Sequence, residues 1–382
     1  MSSDTYRFKI IIIGAGVVGL SIANELSKEY DNILVVEKEG SFGQHVSSRN
    51  SEIIHSGIYY PKDTLKTKLC VEGNKLLYNF IKEHNIPHRR CGKLIVANSA
   101  EEKVVLEKLY LQSIENGVDD VMLINKEKIQ ELEPSVKADM AILAPSTGIV
   151  DSHSLMQRLE QKSIERGVVV SYNTQINNIS KKNDFYELTF NDKEVIIQTD
   201  ILINSAGLWS DEVSAMSGIK GYKICWNKGE YFKTTKYKNM NKLIYPVPDP
   251  KGKYLGIHTV MDLDGNISFG PNSYYIDNLD YNVDEKNKEQ FCEAINRYLD
   301  IKLQDLSPAM SGIRPKTQSE KEHFKDFIIK NESEIGYNNF INLIGIESPG
   351  LTCCLSIAKY VKEIINKWIF WLQAVQDILE VN

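Results

Sequence analysis

The stretch IIIIGAGVVGLSIANELSKEYDNILVVE, Ile10 to Glu37, reads as one unit. Four isoleucines make a buried strand, GAGVVG a glycine turn, the following residues an amphipathic helix, and ILVV a second buried strand that ends at the acid Glu37. That succession is the dinucleotide-binding βαβ pattern. Gly14 permits the tight turn, Gly16 lets the backbone approach a pyrophosphate, and Gly19 lets helix and strand pack closely. Ala15, Val17 and Val18 carry the chain into a helix N-terminus whose N–H groups face phosphates. Glu37, with Lys38 after it, is placed to accept hydrogen bonds from a ribose. A nicotinamide and a flavin dinucleotide both fit these residues.

A chain of 382 residues is long for one domain and comfortable for two. The net charge of −6 and the absence of a basic stripe argue against nucleic acid as a partner. Six scattered cysteines (70, 91, 225, 292, 353 and 354) form no CxxC pair, which suits a reducing compartment. The first residues carry no apolar signal core and nothing later approaches a spanning run, so a cytoplasmic location is expected.

Beyond the first βαβ, a helix is predicted from Leu65 to His84, a strand over Lys93 to Ala97, a polar helix over Glu101 to Asn116 and a short helix ending at Pro134. Asp151 suits the N-cap of a helix running to Gly167. Three short strands follow as a meander (Gln175 to Ser180, Phe185 to Phe190 and Glu194 to Gln198), then a separate apolar strand within Asp200 to Gly207. Strands rich in aromatics fill Gly221 to Gly270, a helix covers Asp284 to Leu299, and the last strand is Phe340 to Ile346. There Ser348 suits an N-cap and Pro349 the first helical position. This second strand-to-helix junction faces anions as the first does, so the nucleotide domain is expected to be discontinuous. Residues 1–85, 145–215 and 306–382 would form it, and 86–144 and 216–305 a smaller α+β substrate domain with a mixed or antiparallel sheet. The fold class is α/β with a Rossmann-like core.

Several long motifs carry a more specific signal: Ser47 to Asn74, Cys91 to Ala97, Ser146 to Met156, Lys228 to Phe232, Leu243 to Pro250, Ser311 to Lys316 and Gly345 to Thr352. Together they resemble the L-2-hydroxyglutarate dehydrogenase/oxidase group of the D-amino-acid-oxidase-like flavoproteins, over nearly the whole chain to about Trp368. The resemblance implies FAD bound in an extended form, and the first flavin loop, with no cysteine and no histidine beyond His45 and His55, suits noncovalent binding. In that pattern Gly14 to Gly19 hold the pyrophosphate, Glu37 the adenosine ribose, and Ser48, Arg49, Asn50 and Ser51 the phosphates and the flavin's middle. Ile176 would meet adenine through its backbone. Ser205, Ala206 and Gly207 would crowd the pyrophosphate, while Gly312, Ser348, Pro349, Gly350, Leu351 and Thr352 would stand near the isoalloxazine. A helix N-terminus at Ser348 to Leu351 would stabilise the negative charge that a reduced flavin gathers.

The same resemblance selects the catalytic candidates. His55, in the N-S-x-x-I-H-x-G pattern, is the expected base for the hydroxyl proton while a hydride passes from carbon to flavin; an imidazole that titrates near neutrality suits that role. Arg314 offers a planar guanidinium for a substrate carboxylate. Lys316 or Lys228 would take a distal carboxylate, Tyr59, Tyr60, Tyr231 and Tyr245 would line the pocket, and Glu230 would orient a cation or the base. Glu52 departs from the glycine found there in several relatives.

The reaction implied is oxidation of L-2-hydroxyglutarate, or a close 2-hydroxy acid, to the 2-oxo acid. The acceptor would be oxygen, a quinone or a partner flavoprotein. Rival readings are a glycerol-3-phosphate or amino-acid oxidase of the same family, and a flavin-binding sensor or assembly protein without catalysis. The apolar spacing of Val361, Ile364, Ile365, Trp368, Leu372, Val375 and Leu379 gives the tail three expected uses. In order, these are docking on its own chain, pairing with another subunit, and lying on a membrane surface.

Overall fold

The computed structural model describes residues 5–191, 195–248 and 256–380, with side chains as far as 368 in the last helix. Its largest sheet grows from the first strand, β1 (Thr5–Ile13). Ile10 and Ile12 pack into one apolar layer and Ile11 and Ile13 into another, so both faces of the strand are covered. That is why the run is continuously apolar rather than alternating. β1 pairs in parallel with β2 (Ile33–Val36) on one side and with the strand Ile196–Asn204 on the other. Val169–Ser171 extends the sheet beyond β2, and Phe340–Ile344 joins it beside Leu202–Asn204, again in parallel. The hairpin of Ile176–Lys181 and Tyr186–Phe190 is antiparallel and pairs with the first half of Ile196–Asn204.

One face of this sheet is covered by α1 (Val17–Leu26), by the helix Ser152–Ile164 and by the helix that starts at Gly350. The other face is closed by apolar side chains of the hairpin together with Val213 and Ile219. A five-stranded sheet built on Cys225–Lys238 and a four-stranded sheet containing Lys93–Ala97 share a separate core that includes Leu94, Ile142, Phe232, Ile244 and Phe291. The mixed α/β architecture expected from the sequence is the one observed.

Three local expectations change. The separate strands expected at Glu194 to Gln198 and within Asp200 to Gly207 are one strand from Ile196 to Asn204, because β1 supplies a nine-residue partner in unbroken register; residues 192–194 lie outside the described part. The helix expected from Asp284 begins as a short 3-10 turn and is α-helical over Lys288–Asn296. The C-terminal helix starts at Gly350, and its first turn closes from Cys353 N–H to the Pro349 carbonyl. Ser348 therefore stands outside the helix. Asp151, by contrast, caps its helix as expected, accepting from the Ser154 N–H at 2.9 Å.

The tail docks on its own chain at least through Ile365. Val361 and Ile365 are buried in the layer that contains α1 and α2 (Leu65–Glu83), Asn366 accepts from the Tyr30 hydroxyl at 2.6 Å, and Lys362 pairs with Glu25 and Glu29. The side chains of Leu372, Val375 and Leu379 lie outside the described residues. Among the described residues no helix is long and apolar enough to cross a membrane.

The glycine turn is packed to its limit. A Cβ on Gly19 would fall 2.0 Å from the Gly14 carbonyl oxygen, and one on Gly14 would fall 2.8 Å from that of Ser205. Gly19→Ala should therefore destabilise the protein by about 1–3 kcal/mol. Denaturant unfolding of the purified variant measures this, and an unchanged midpoint would refute the packing argument.

Candidate active site

A single cavity of about 900 Å³ runs from the glycine turn to the Ser311–Lys316 segment. Gly14, Gly16, Val17, Val18, Glu37 and Lys38 line one end of it. Ile176, Ser205, Ala206 and Gly207 face the same end, and Arg49, Asn50 and Ser51 stand midway. Gly312, Ser348, Pro349, Gly350 and Leu351 line the far end, with His55 and Arg314. Tyr59, Tyr60, Tyr231, Tyr245 and Lys316 complete the walls there.

Four predicted contacts stand behind the lining instead. Ala15 is fully buried and its N–H donates to Glu37 at 2.8 Å. Gly19 is enclosed by the turn, and Ser48 closes a backbone turn onto the His45 carbonyl. Thr352 is buried and holds His55 rather than facing the cavity: its hydroxyl accepts from the His55 N–H at 2.9 Å and donates to the Ile53 carbonyl at 3.2 Å.

The turn end suits a dinucleotide. A Cβ on Gly16 would lie 2.9 Å from the Ser47 hydroxyl, so glycine keeps open the cradle above the start of α1. Glu37 accepts from Ala15 and Glu39 N–H groups, which fixes its carboxylate at the cavity edge. In the middle, a Cβ on Gly312 would meet the Arg49 carbonyl oxygen at 2.1 Å, so the two segments can touch only because this residue is glycine. These residues would hold an extended FAD, with the adenosine at Glu37 and the flavin between Ser51 and Leu351. Both ring nitrogens of His45 are already engaged, Nδ1 with the Tyr281 hydroxyl and Nε2 with Glu39, each at 2.9 Å.

At the far end the backbone of His55 is held on both sides. Its carbonyl accepts from Asn74 at 2.9 Å, its N–H is taken by Thr352, and its Nε2 lies 3.4 Å from the Ser348 hydroxyl. That contact explains why Ser348 does not cap the terminal helix. Burial, reinforced by the charge of Lys93 and by His258, holds the imidazole well below its ordinary range. The neutral form of the imidazole is therefore favoured.

Arg314 lies on a strand antiparallel to Cys225–Lys238, directly opposite Asn227, and its Nη1 donates to the Asn227 side-chain oxygen at 2.7 Å. A Cβ on Gly229 would come within 2.8 Å of the guanidinium, so that glycine makes room for it. The Tyr231 hydroxyl pairs with Ser51 at 2.9 Å, and Tyr245 stacks on His258 with ring centroids 3.7 Å apart.

One expected role is overturned and another is narrowed. Lys228 is nearly inaccessible, does not line the cavity, and pairs with Asp280 at 2.7 Å, so its charge is not available for a distal carboxylate. Glu230 is fully buried as a structural hub: its carboxylate accepts from Tyr274, Asn272, Asn287 and the Asp284 N–H, and the cation it stands beside is Lys228, 3.8 Å away.

The sequence reading missed a charged group beside His55. Lys66 donates to Glu347 at 3.0 Å in a pair almost sealed from solvent. Burial pushes the Glu347 carboxyl up, but Lys66, Lys316 and Arg314 outweigh it and leave it below the ordinary carboxylate range. Lys316 is lowered by burial, against the opposing pull of Glu347. The three cations exceed the one carboxylate, and this end of the cavity suits an anionic substrate. Glu347 sits inside the Gly345 to Thr352 motif, so the signal was present in the sequence; its partner Lys66 had no local mark.

Glu52 has a structural explanation. Its φ is +55°, in the left-handed region that favours glycine, and its carboxylate accepts from both the N–H and the hydroxyl of Ser152 at the start of a helix. The side chain points to that helix, so the substitution is accommodated away from His55's ring.

Comparison with known proteins agrees with this geometry. The family model described as FAD dependent oxidoreductase matches residues 9–364. The chain is 35% identical to the mitochondrial L-2-hydroxyglutarate dehydrogenase of Arabidopsis thaliana, over 95% of this chain and 84% of that protein. It is 32% identical to the glycerol 3-phosphate dehydrogenase of Caloramator mitchellensis, over 94% and 74% respectively. Among solved structures, the dithionite-reduced L-alpha-glycerophosphate oxidase of Mycoplasma pneumoniae with FAD bound superposes with a TM-score of 0.83 at 24% identity, covering 94% of this chain and 95% of that one. The βαβ cradle, the second strand-to-helix junction at Gly350 and the match along nearly the whole chain place this protein in the FAD dependent oxidoreductase family.

Proposed function

We propose that the protein oxidises L-2-hydroxyglutarate, or a closely related 2-hydroxy acid, to the corresponding 2-oxo acid. The observation that carries this reading is a backbone-anchored imidazole that lines the same cavity as Arg314 and Lys316, in a chain whose relatives include several named L-2-hydroxyglutarate dehydrogenase. Residues 1–85, 145–215 and 306–382 would form the cofactor domain, with 86–144 and 216–305 shaping the substrate side.

Bound FAD supplies the two-electron acceptor. Arg314 holds the carboxylate next to the hydroxyl-bearing carbon, kept in place by Asn227, and so fixes which face of that carbon is presented. His55 Nε2 takes the hydroxyl proton as the C–H bond is broken. Ser348 steers the ring from the cavity side, and Thr352 and Asn74 hold its backbone. Lys316 faces the distal carboxylate, with Glu347 and Lys66 setting its position. Tyr60 and Tyr231 close the walls against water. Glycerol 3-phosphate is the second reading, favoured by the relative named glycerol 3-phosphate dehydrogenase; both substrates are dianions, so the count of cations does not choose between them.

Three outcomes are expected. Anaerobic addition of L-2-hydroxyglutarate to the yellow holoenzyme should bleach the flavin band, and bleaching by glycerol 3-phosphate alone would transfer the assignment. His55→Ala should slow the reductive half-reaction by about 10²- to 10⁴-fold while the visible spectrum of the bound cofactor persists; stopped-flow reduction at the wild-type rate would remove His55 from the chemistry. Arg314→Lys keeps the charge but loses the bidentate fork, so KM should rise by about 10- to 100-fold, and an unchanged KM would show that the carboxylate binds elsewhere.

A further inference from the structure

The Lys228 to Phe232 motif holds two buried charges that take no part in the proposed chemistry, and both are spent on one loop. Residues 276–284 leave the five-stranded sheet after Tyr274–Tyr275 and are fastened back to it at four points. The Ile276 N–H donates to the Trp226 carbonyl at 3.0 Å, Lys228 pairs with Asp280 at 2.7 Å, the Ser311 hydroxyl donates to the Tyr281 carbonyl at 2.7 Å, and the Asp284 N–H donates to Glu230 at 2.9 Å. Lys228, Glu230 and Ser311 are all buried. Burying a cation and a carboxylate costs desolvation, so a loop with no duty beyond a turn would not need them.

That loop carries Tyr281 to the segment that follows β2. The Tyr281 hydroxyl pairs with His45 Nδ1 at 2.9 Å, and the other nitrogen of that ring, Nε2, pairs with Glu39 at 2.9 Å. Glu39 in turn donates its N–H to Glu37 at 3.0 Å, the carboxylate at the dinucleotide end of the cavity. The Tyr281 ring lies 4.2 Å from the centre of the Arg49 guanidinium, which lines the middle of the cavity. Among the described residues no carboxylate pairs with Arg49. An aromatic face attracts a cation without neutralising it, so Arg49 is held in place with its charge still free for an anion. The pyrophosphate of FAD is such an anion.

The facing wall of the groove is tied to the same sheet. Trp226, on Cys225–Lys238, donates its indole N–H to the Leu208 carbonyl at 3.2 Å, next to Gly207 in the cavity lining. Trp209 then meets His45 edge-on, with ring centroids 4.7 Å apart.

We propose that Tyr281 is a positioning residue for the cofactor, the tip of a strap that the five-stranded sheet fastens to the FAD groove. Its ring keeps the Arg49 charge in the groove for the pyrophosphate, and its hydroxyl steadies His45, Glu39 and, through them, Glu37. The buried Lys228 and Glu230 thereby govern how long FAD stays bound. The strap acts on the cofactor whichever substrate the enzyme takes.

The test follows FAD release from the holoenzyme as the rise in flavin fluorescence after dilution. Tyr281→Phe, which keeps the ring and loses the hydroxyl, should hasten release about 3- to 10-fold. Tyr281→Leu, which loses both contacts, should hasten it about 10- to 100-fold. In an Arg49→Met background the further effect of Tyr281→Leu should shrink to that of Tyr281→Phe, because the ring no longer has a cation to hold. Release at the wild-type rate from Tyr281→Leu overturns the proposal. So does a Tyr281→Leu effect of equal size with and without Arg49, which is what a merely structural tyrosine would give. Should Tyr281→Leu not fold, Asp280→Ala decides, since it frees the loop from Lys228 and leaves the groove untouched: faster release supports the strap, and an unchanged rate overturns it.

Discussion

The hydroxyl of Thr352 joins two segments of the site that are far apart in the sequence. It accepts from His55 and donates to Ile53, residues that lie almost three hundred positions earlier in the chain. Because the oxygen is buried, losing either bond would leave a backbone polar group without water to replace it. The terminal helix is thereby fixed against the 53–55 segment, and Ser348, just before that helix, meets His55 Nε2. Neither junction alone makes the far end of the cavity. It exists because the strand Phe340–Ile344 joins the same parallel sheet as β1 and delivers its helix N-terminus beside the segment that follows β2.

The parts of the fold that were legible in the sequence are those dictated by local burial and local turns. The apolar run Ile10–Ile13 had to be a strand covered on both faces, and Asp151 had to cap a helix because its side chain reaches Ser154, three residues away. The errors share a different origin. Ser348 has the composition of an N-cap, but its hydroxyl is taken by a histidine 293 residues away in sequence. Lys228 has the composition of a carboxylate binder, but Asp280 reaches it from a separate loop. The break expected before Asp200 was suggested by polar residues; Thr199 is nonetheless fully buried, bonded through its hydroxyl to backbone carbonyls, and the strand runs through it. Local composition states what a side chain can do, whereas only the tertiary fold states which partner reaches it first.

The site itself was legible mainly through resemblance. Spacing alone could place Gly14, Gly16 and Glu37, since a dinucleotide turn has a fixed geometry. It could not bring His55 and Arg314 to one cavity, which depends on the pairing of Cys225–Lys238 with Leu306–Lys316 and on the room that Gly229 leaves for the guanidinium. Glu52 illustrates the reverse case. A residue that departs from the family pattern next to the histidine suggests altered chemistry, yet its carboxylate is used at the start of the Ser152–Ile164 helix, and the left-handed backbone that glycine would supply is retained.

The charge at the far end of the cavity divides by what a ligand can touch. A carboxylate substrate needs a positive group within reach, and Arg314 and Lys316, which both line the cavity, would meet that need. The Lys66–Glu347 pair differs from them, since its own charges largely cancel and what remains is a fixed, almost sealed edge beside Lys316.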